Sequence, residues 1–205
     1  MTEDSDYTFQ YRAFSEALYE ALKPDPFYVT LESRTGSPEG RRGAMLKYLD
    51  YSMVEAAKYG ELFIPTDHGY GVSIWSKPLA PDVAQQKKEE KRRFLLDHLG
   101  EDAEQTYQDI VVFMSEKSAT LVDDRFWYLS IVGILPKFQG RGLGVGLLKV
   151  VLNKADHLGI PTYLETFTPR NETFYQRLGY RVAGAFDEPV TGAKYSLMIR
   201  EPSSR

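Results

Sequence analysis

The sequence predicts an α/β (α+β) fold in which one sheet is flanked by helices, and three observations carry that expectation. The apolar run Trp127 to Leu135 is followed by a glycine-rich turn, an amphipathic helical pattern and a second apolar run, Thr162 to Phe167. Strand and helix therefore alternate through the middle of the chain. Two hairpin patterns lie on either side, Glu61–Pro65 with Tyr70–Trp75, and Tyr180–Phe186 with Ala193–Arg200 around Pro189 to Gly192. Finally, 205 residues with 42% hydrophobic and 26% charged side chains suit one sizeable core better than two, so residues 1–205 are expected to form a single domain.

In chain order, Tyr11, Phe14, Leu18, Ala21 and Leu22 recur at helical spacing, and Pro24 and Pro26 close a helix over Phe9 to Leu22. Only Tyr7 to Gln10 is left for a short strand before it. Phe27 to Leu31 reads as extended, and Ser33 to Gly43 reads as a loop. Met45, Leu49, Met53, Ala56 and Ala57 then share one face of a second helix, with Gly60 at its C-terminal cap. Thr66-Asp67-His68-Gly69 makes the turn of the first hairpin. Residues 81–118 carry two further helical patterns broken near Gly100. In their charged stretch, Lys87 to Arg93, the plain reading is a solvated face with Glu89 paired to Arg93, and the sharper one is a wall over a neighbouring pocket. Trp127 to Leu135 reads as a strand buried on both faces.

Composition excludes several function classes. A net charge of −4 gives no bulk attraction to nucleic acid. There is no cysteine, hence no disulfide and no thiolate metal site or nucleophile. His68, His98 and His157 show no ligand spacing, and no metal is expected. The start, MTEDSDYTFQ, is the reverse of a secretion signal, and no apolar run approaches a membrane span. A cytoplasmic protein is the expectation, with its oligomeric state open, a homodimer included.

The chemistry is concentrated after the long strand. Gln139, Gly140, Arg141, Gly142, Leu143 and Gly144 spell Q-x-x-G-x-G directly before a helical pattern. Glycines there let the backbone take positive φ and approach a ligand closely, and the free N–H groups of the first helical turn suit a phosphate. A Walker A loop fails because no Lys-Ser or Lys-Thr follows the second glycine. A dinucleotide fingerprint fails because its sixth place is Val145 in one frame and Leu147 in the other.

The surviving pattern resembles the loop of the GNAT acetyltransferase superfamily. Similarity to puromycin N-acetyltransferase-like members extends over Val72 to Trp75, Leu129 to Gly144, and Leu164 to Tyr180 with its LET, PRN, FY and RLGY elements. The resemblance implies a mixed, largely antiparallel sheet with 61–200 as the matching core and 81–118 as a helical insertion before the cofactor-binding strand. It implies acetyl-CoA as co-substrate, with its pyrophosphate on Gln139, Gly140, Arg141, Gly142, Leu143, Gly144 and Val145. Its pantetheine arm is expected on the main chain of Val132, Gly133 and Ile134, where the strand splays from its neighbour and Gly133 is a place for a β-bulge. Asn171 is a candidate cofactor contact or the cap of a short helix ending at Gly179. Tyr175 on that helix is the candidate proton donor to the departing thiolate. Glu165, a carboxylate in an otherwise apolar strand, is the candidate general base.

The expected activity is transfer of acetyl to a primary amine of a small molecule, an aminonucleoside or antibiotic-like amine being examples. The alternatives are acetylation of a protein N-terminus or lysine, and a non-catalytic acyl-CoA-binding module.

Overall fold

A computed structural model of the chain describes residues 7–66 and 69–203. The hairpin turn expected at Asp67 and His68, the first residues of MTEDSDYTFQ and the last two of the chain lie outside the described residues. The elements run α1 (Arg12–Leu22), α2 (Pro26–Arg34), α3 (Arg41–Tyr59), β1 (Gly60–Phe63), β2 (Gly71–Ser76), α4 (Pro81–His98), α5 (Glu101–Ser118), β3 (Trp127–Ile134), α6 (Gly144–Leu158), β4 (Thr162–Thr166), α7 (Pro169–Gln176), β5 (Arg181–Glu188) and β6 (Ala193–Arg200). The six strands form one sheet in the order β1-β2-β3-β4-β6-β5. Only β3 and β4 run parallel, joined by the crossover helix α6, and the other pairs are antiparallel.

Phe27 to Leu31 is helical, in α2, and not extended. Asp25 caps this helix by accepting from the Phe27 N–H at 3.0 Å, and Pro26 occupies its first position. That combination of an acidic cap and a proline pre-set to helical φ outweighs the strand preference of Phe, Tyr and Val. No strand forms over Tyr7 to Gln10. This segment is instead tied down by buried Asp50 of α3, which accepts from Tyr7 Oη at 2.9 Å and from the Gln10 and Tyr11 N–H groups at 3.1 and 2.6 Å.

Strand β3 is buried on alternate residues and not on both faces. The alternation is unbroken, but the face on which the buried residues lie changes part-way, at a bulge. Ile74 of β2 faces Ile131 while Trp75 faces Leu129, so Ser130 is the extra residue. The bulge therefore falls at Ser130, not at Gly133, which keeps regular register with Val72. Before the bulge, Trp127 and Leu129 pack with Leu148, Val151 and Leu152 of α6. After it, Ile131 packs with Leu18, Leu46 and Leu49 of α1 and α3. An extra residue moves every later side chain to the opposite face of the sheet. Gly133 has a packing reason for its identity: a Cβ there would sit 2.3 Å from Leu18 Cδ2.

Candidate active site

Strands β3 and β4 pair only over Trp127–Leu129 with Thr162–Leu164. From there β3 continues along β2 and β4 along β6, so the two diverge and open a wedge in the sheet. A cavity of about 690 Å³ occupies this opening, within the range of small-molecule sites. Ser130, Ile131 and Val132 of β3 form one wall, and Glu165, Thr166, Phe167, Asn171 and Tyr175 from β4 and α7 form another. Helices α2 to α5 close the far side with Tyr28, Tyr48, Glu55, Lys91, Tyr107 and Met114.

Glu165 stands where β4 has just left its parallel neighbour. Its Oε1 is buried and has no hydrogen-bond partner among the described residues. Burial pushes its carboxyl up to about 7, and interaction with the Tyr128 hydroxyl only partly offsets this. Tyr128 stacks on Tyr163 with centroids 4.6 Å apart, and burial beside the Glu165 charge raises both phenols. A carboxyl poised near neutrality in a cavity can take a proton from a bound amine.

Tyr175 is buried on α7, its ring edge-on to Phe174 and Tyr180. Burial, with Asp25 facing it, raises its phenol above the ordinary value, so the hydroxyl holds its proton across the physiological range. Asp25 is itself raised to about 6 by burial, which outweighs the Phe27 and Tyr28 N–H groups at its cap. Asn171 does not cap α7. Thr168 holds that place, and Asn171 lies one turn in, exposed at the cavity edge. Gly179, at φ 91°, ends the turn that returns the chain to β5.

The glycine turn sits beyond the end of β3. Pro136–Phe138 forms a single 3₁₀ turn, and Gln139 then folds back to donate from Nε2 to the Ile134 carbonyl at 3.0 Å. Gly140 and Gly142 both take φ 74°, the left-handed region that disfavours a side chain. The first bonds closing α6 run from Gly146 and Leu147 to the Leu143 carbonyl. The N–H groups of Leu143, Gly144 and Val145 therefore belong to the helix start that has no partner within the helix.

The structure thus brings Val132, Glu165, Asn171 and Tyr175 to one cavity. Gly133, Ile134 and the run Gln139 to Val145 lie outside its lining, on the strand end and turn that follow. Sequence reasoning missed Asp25, Tyr28, Glu55, Lys91, Tyr107 and Tyr128. For Asp25 the Asp-Pro pair was a readable signal. For Lys91 none was, since it sits in a charged run in which Glu89 pairs with Gln85 and Glu90 with Lys58 on the exposed side. Among the described residues no group of acidic or histidine side chains could hold a metal, and no helix is long and apolar enough to cross a membrane.

The splay between β3 and β4 and the glycine turn at the start of α6 thus follow one another along the chain. Comparison with known proteins identifies the family. The acetyltransferase (GNAT) family model matches residues 73–180, and the chain belongs to that family. An uncharacterized N-acetyltransferase of Schizosaccharomyces pombe is 24% identical over 207 residues, covering 95% of this chain and 81% of that protein. Among solved structures, a Corynebacterium glutamicum protein described as a histone acetyltransferase HPA2 and related acetyltransferase has a TM-score of 0.65 at 20% identity, covering 94% of this chain and 91% of that one. A Drosophila melanogaster polyamine N-acetyltransferase has a TM-score of 0.57 at 16% identity, covering 92% and 95%. At these identities the likeness is one of fold.

Proposed function

We propose that this chain is, as one domain over residues 1–205, an acetyl-CoA-dependent N-acetyltransferase acting on a primary amine of a small molecule, in the cytoplasm. The observation that carries the reading is Glu165: a carboxyl held near neutrality, with an unpartnered buried oxygen, in a cavity at the strand splay. A domain that only bound acyl-CoA would have no use for a base there. The 81–118 helices contribute one wall of the cavity, and its volume of about 690 Å³ suits a small acceptor. The resemblance to puromycin N-acetyltransferase-like members supports the same acceptor class.

The residues present fit the co-substrate. Two left-handed glycines before an uncapped helix start would receive its pyrophosphate, with Gln139, Arg141, Leu143 and Val145 around it. The unpaired edge of β3 at Val132 to Ile134 would receive its pantetheine arm, and Asn171 lies at the rim. When bound, acetyl-CoA supplies an activated acetyl thioester.

The chain's own groups then move the protons. The Glu165 carboxylate accepts one from the ammonium form of the acceptor, leaving the nitrogen lone pair free to attack the acetyl carbon. As the C–N bond forms and the C–S bond breaks, the Tyr175 hydroxyl donates its proton to the departing sulfur, and the second proton that the nitrogen sheds on becoming an amide restores the Tyr175 hydroxyl. Main-chain N–H groups of the splayed strand stabilise charge on the carbonyl oxygen. Because its burial makes Tyr175 a weaker acid than a free phenol, the transfer relies on a hydrogen bond already made to sulfur.

Release of free thiol from acetyl-CoA, followed with purified protein over a panel of small amines and over peptides, tests the reading. Acetylation of small amines supports it. Turnover confined to peptides would replace the acceptor class, and binding of acetyl-CoA without turnover on any amine would make the chain a binding module.

A further inference from the structure

The cavity lining carries charges of both signs. Glu165 of β4 and Asp25, at the start of α2, stand on it with Tyr175, and α5 contributes Glu116 and Ser118, whose hydroxyl donates to the Ser115 carbonyl. The side against α4, its lysine end, carries Lys87, Lys88 and Lys91 with Glu55 of α3. The rest of the lining includes the aromatic and apolar Tyr28, Tyr48, Tyr107, Ile74, Val111 and Met114.

The lysine end is poorly satisfied by the chain itself. Lys91 is 8% exposed, and its ammonium lies 4.7, 5.0 and 5.7 Å from the ring centroids of Tyr48, Tyr51 and Tyr107. Its carboxylate partner is Glu55, yet Nζ to Oε1 is 3.9 Å, and Lys87 Nζ lies 3.7 Å from Oε2. Both separations are beyond the usual hydrogen-bond range. Glu55 Oε1 is buried without a hydrogen-bond partner among the described residues. Burial and the neighbouring Lys87 lower the Lys91 pKa, with Glu55 opposing, which marks this ammonium as one that would gain from a further anion. Lys88 is exposed to solvent, and the two less exposed ammonium groups, Lys91 and Lys87, against the one carboxylate of Glu55 leave one positive charge, a match for a monoanion such as a carboxylate rather than for a phosphate dianion.

We propose that the acceptor carries a carboxylate besides its amine, with the reacting amine at Glu165 and Asp25 and the carboxylate on Lys91 and Lys87. This rests on the acetyl-transfer reading above and adds to it the second functional group of the substrate. Tyr28 and Tyr48 line the cavity with these groups: their rings are 6.4 Å apart, and the Tyr48 ring is 4.7 Å from Lys91 Nζ, so the ammonium is within about 11 Å of the Tyr28 ring centroid. The spacer that best joins amine and carboxylate is what the length series reads.

The test compares ω-aminocarboxylates of graded length with n-alkylamines of the same length as acceptors. The wild-type protein is expected to favour the carboxylate member by roughly tenfold or more in kcat/KM at an intermediate length. Lys91→Met keeps the buried stem against the tyrosine rings and removes the charge. It is expected to bring the ratio toward unity, through KM for the carboxylate member. Lys87→Met is a second variant at a less buried place, for use should Lys91→Met melt early. If the wild-type protein acetylates plain amines as well as their carboxylate partners at every length, or if both variants leave the ratio unchanged, the proposal is wrong while acetyl transfer stands. If neither series is acetylated but another amine is, the proposal is again wrong. If no amine of any kind is acetylated, the underlying reading fails instead.

Discussion

The two halves of the site are built by different means. The cofactor half uses backbone: a strand that leaves its neighbour after Leu129, a bulge at Ser130, two left-handed glycines and the open start of α6. The acceptor half uses side chains brought from four separate helices, with Asp25 and Tyr28 from α2 and its cap, Tyr48 and Glu55 from α3, Lys91 from α4 and Tyr107 from α5. Backbone devices depend on a few residues at fixed local spacing. Side-chain convergence depends on packing between segments far apart in the chain, and any one of its residues looks ordinary alone.

The sharpest way to break this comparison is at the two residues proposed to move protons, where the halves meet. Tyr175→Phe keeps the ring against Phe174 and Tyr180 and removes only the donor. Turnover is expected to fall by roughly 10²–10⁴ with little change in acetyl-CoA affinity. Glu165→Gln should cost a similar factor. In the wild type, kcat/KM should rise with pH and level off above about 7, since the base works only when deprotonated. The rise should be missing in Glu165→Gln. Full turnover in either variant would leave that residue a wall of the cavity and nothing more.

One step smaller is the turn. Gly142→Val places a branched side chain at φ 74°, in space that is otherwise open. The penalty falls on the turn conformation and on ligand approach, not on the core, so acetyl-CoA affinity measured by calorimetry should weaken by roughly a hundredfold or more with the fold retained. Wild-type affinity would remove the turn from the cofactor half.

A third variant probes the acceptor half. Met114 lines the cavity, whereas Phe113, the residue before it, is not part of the lining and packs against the cluster of Ile110, Met114, Phe167 and Tyr195. Met114→Ala is expected to change relative kcat/KM among amines by about tenfold or less and to leave the KM for acetyl-CoA in place. Phe113→Ala should lower thermal stability instead. Equal effects of Met114→Ala on both substrates would mean that the insertion does not choose the acceptor.

The difference between the halves also explains what was legible in the sequence. The order of elements, the glycine turn, the splay and the cavity positions of Tyr175 and Glu165 follow from local pattern and from a family resemblance that rests on that pattern. The bulge was expected at Gly133 because glycine often marks one, but that glycine answers to the close approach of Leu18, and the bulge at Ser130 has no residue signature. Phe27 to Leu31 was misread because side-chain preference was weighed over the Asp25-Pro26 start signal. Lys91 was read as solvated because burial of one lysine in a run of seven charged residues is decided by Tyr48, Tyr51 and Tyr107, up to 43 positions away. The chemistry of acceptor choice is invisible to any local reading for the same reason.

The smallest expected effect separates a base from a merely tolerated buried carboxyl by its influence on the whole fold. The Glu165 pKa of about 7 lies above that of an exposed glutamate. Below the unfolded value the group is neutral in both states and costs nothing. Between the two values the unfolded chain has released the proton and the native state still holds it, so stability falls as pH rises, and the fall is complete once pH passes about 7. Glu165→Gln removes this titration. The variant should therefore gain on the wild type as pH rises from about 5 to 8, by a few degrees in Tm. A gap of constant size across that range would mean that the carboxyl is solvated in the native protein. Its position at the strand splay would then no longer distinguish it from an ordinary surface glutamate, and the base would have to be sought at Asp25, the other raised carboxyl facing Tyr175.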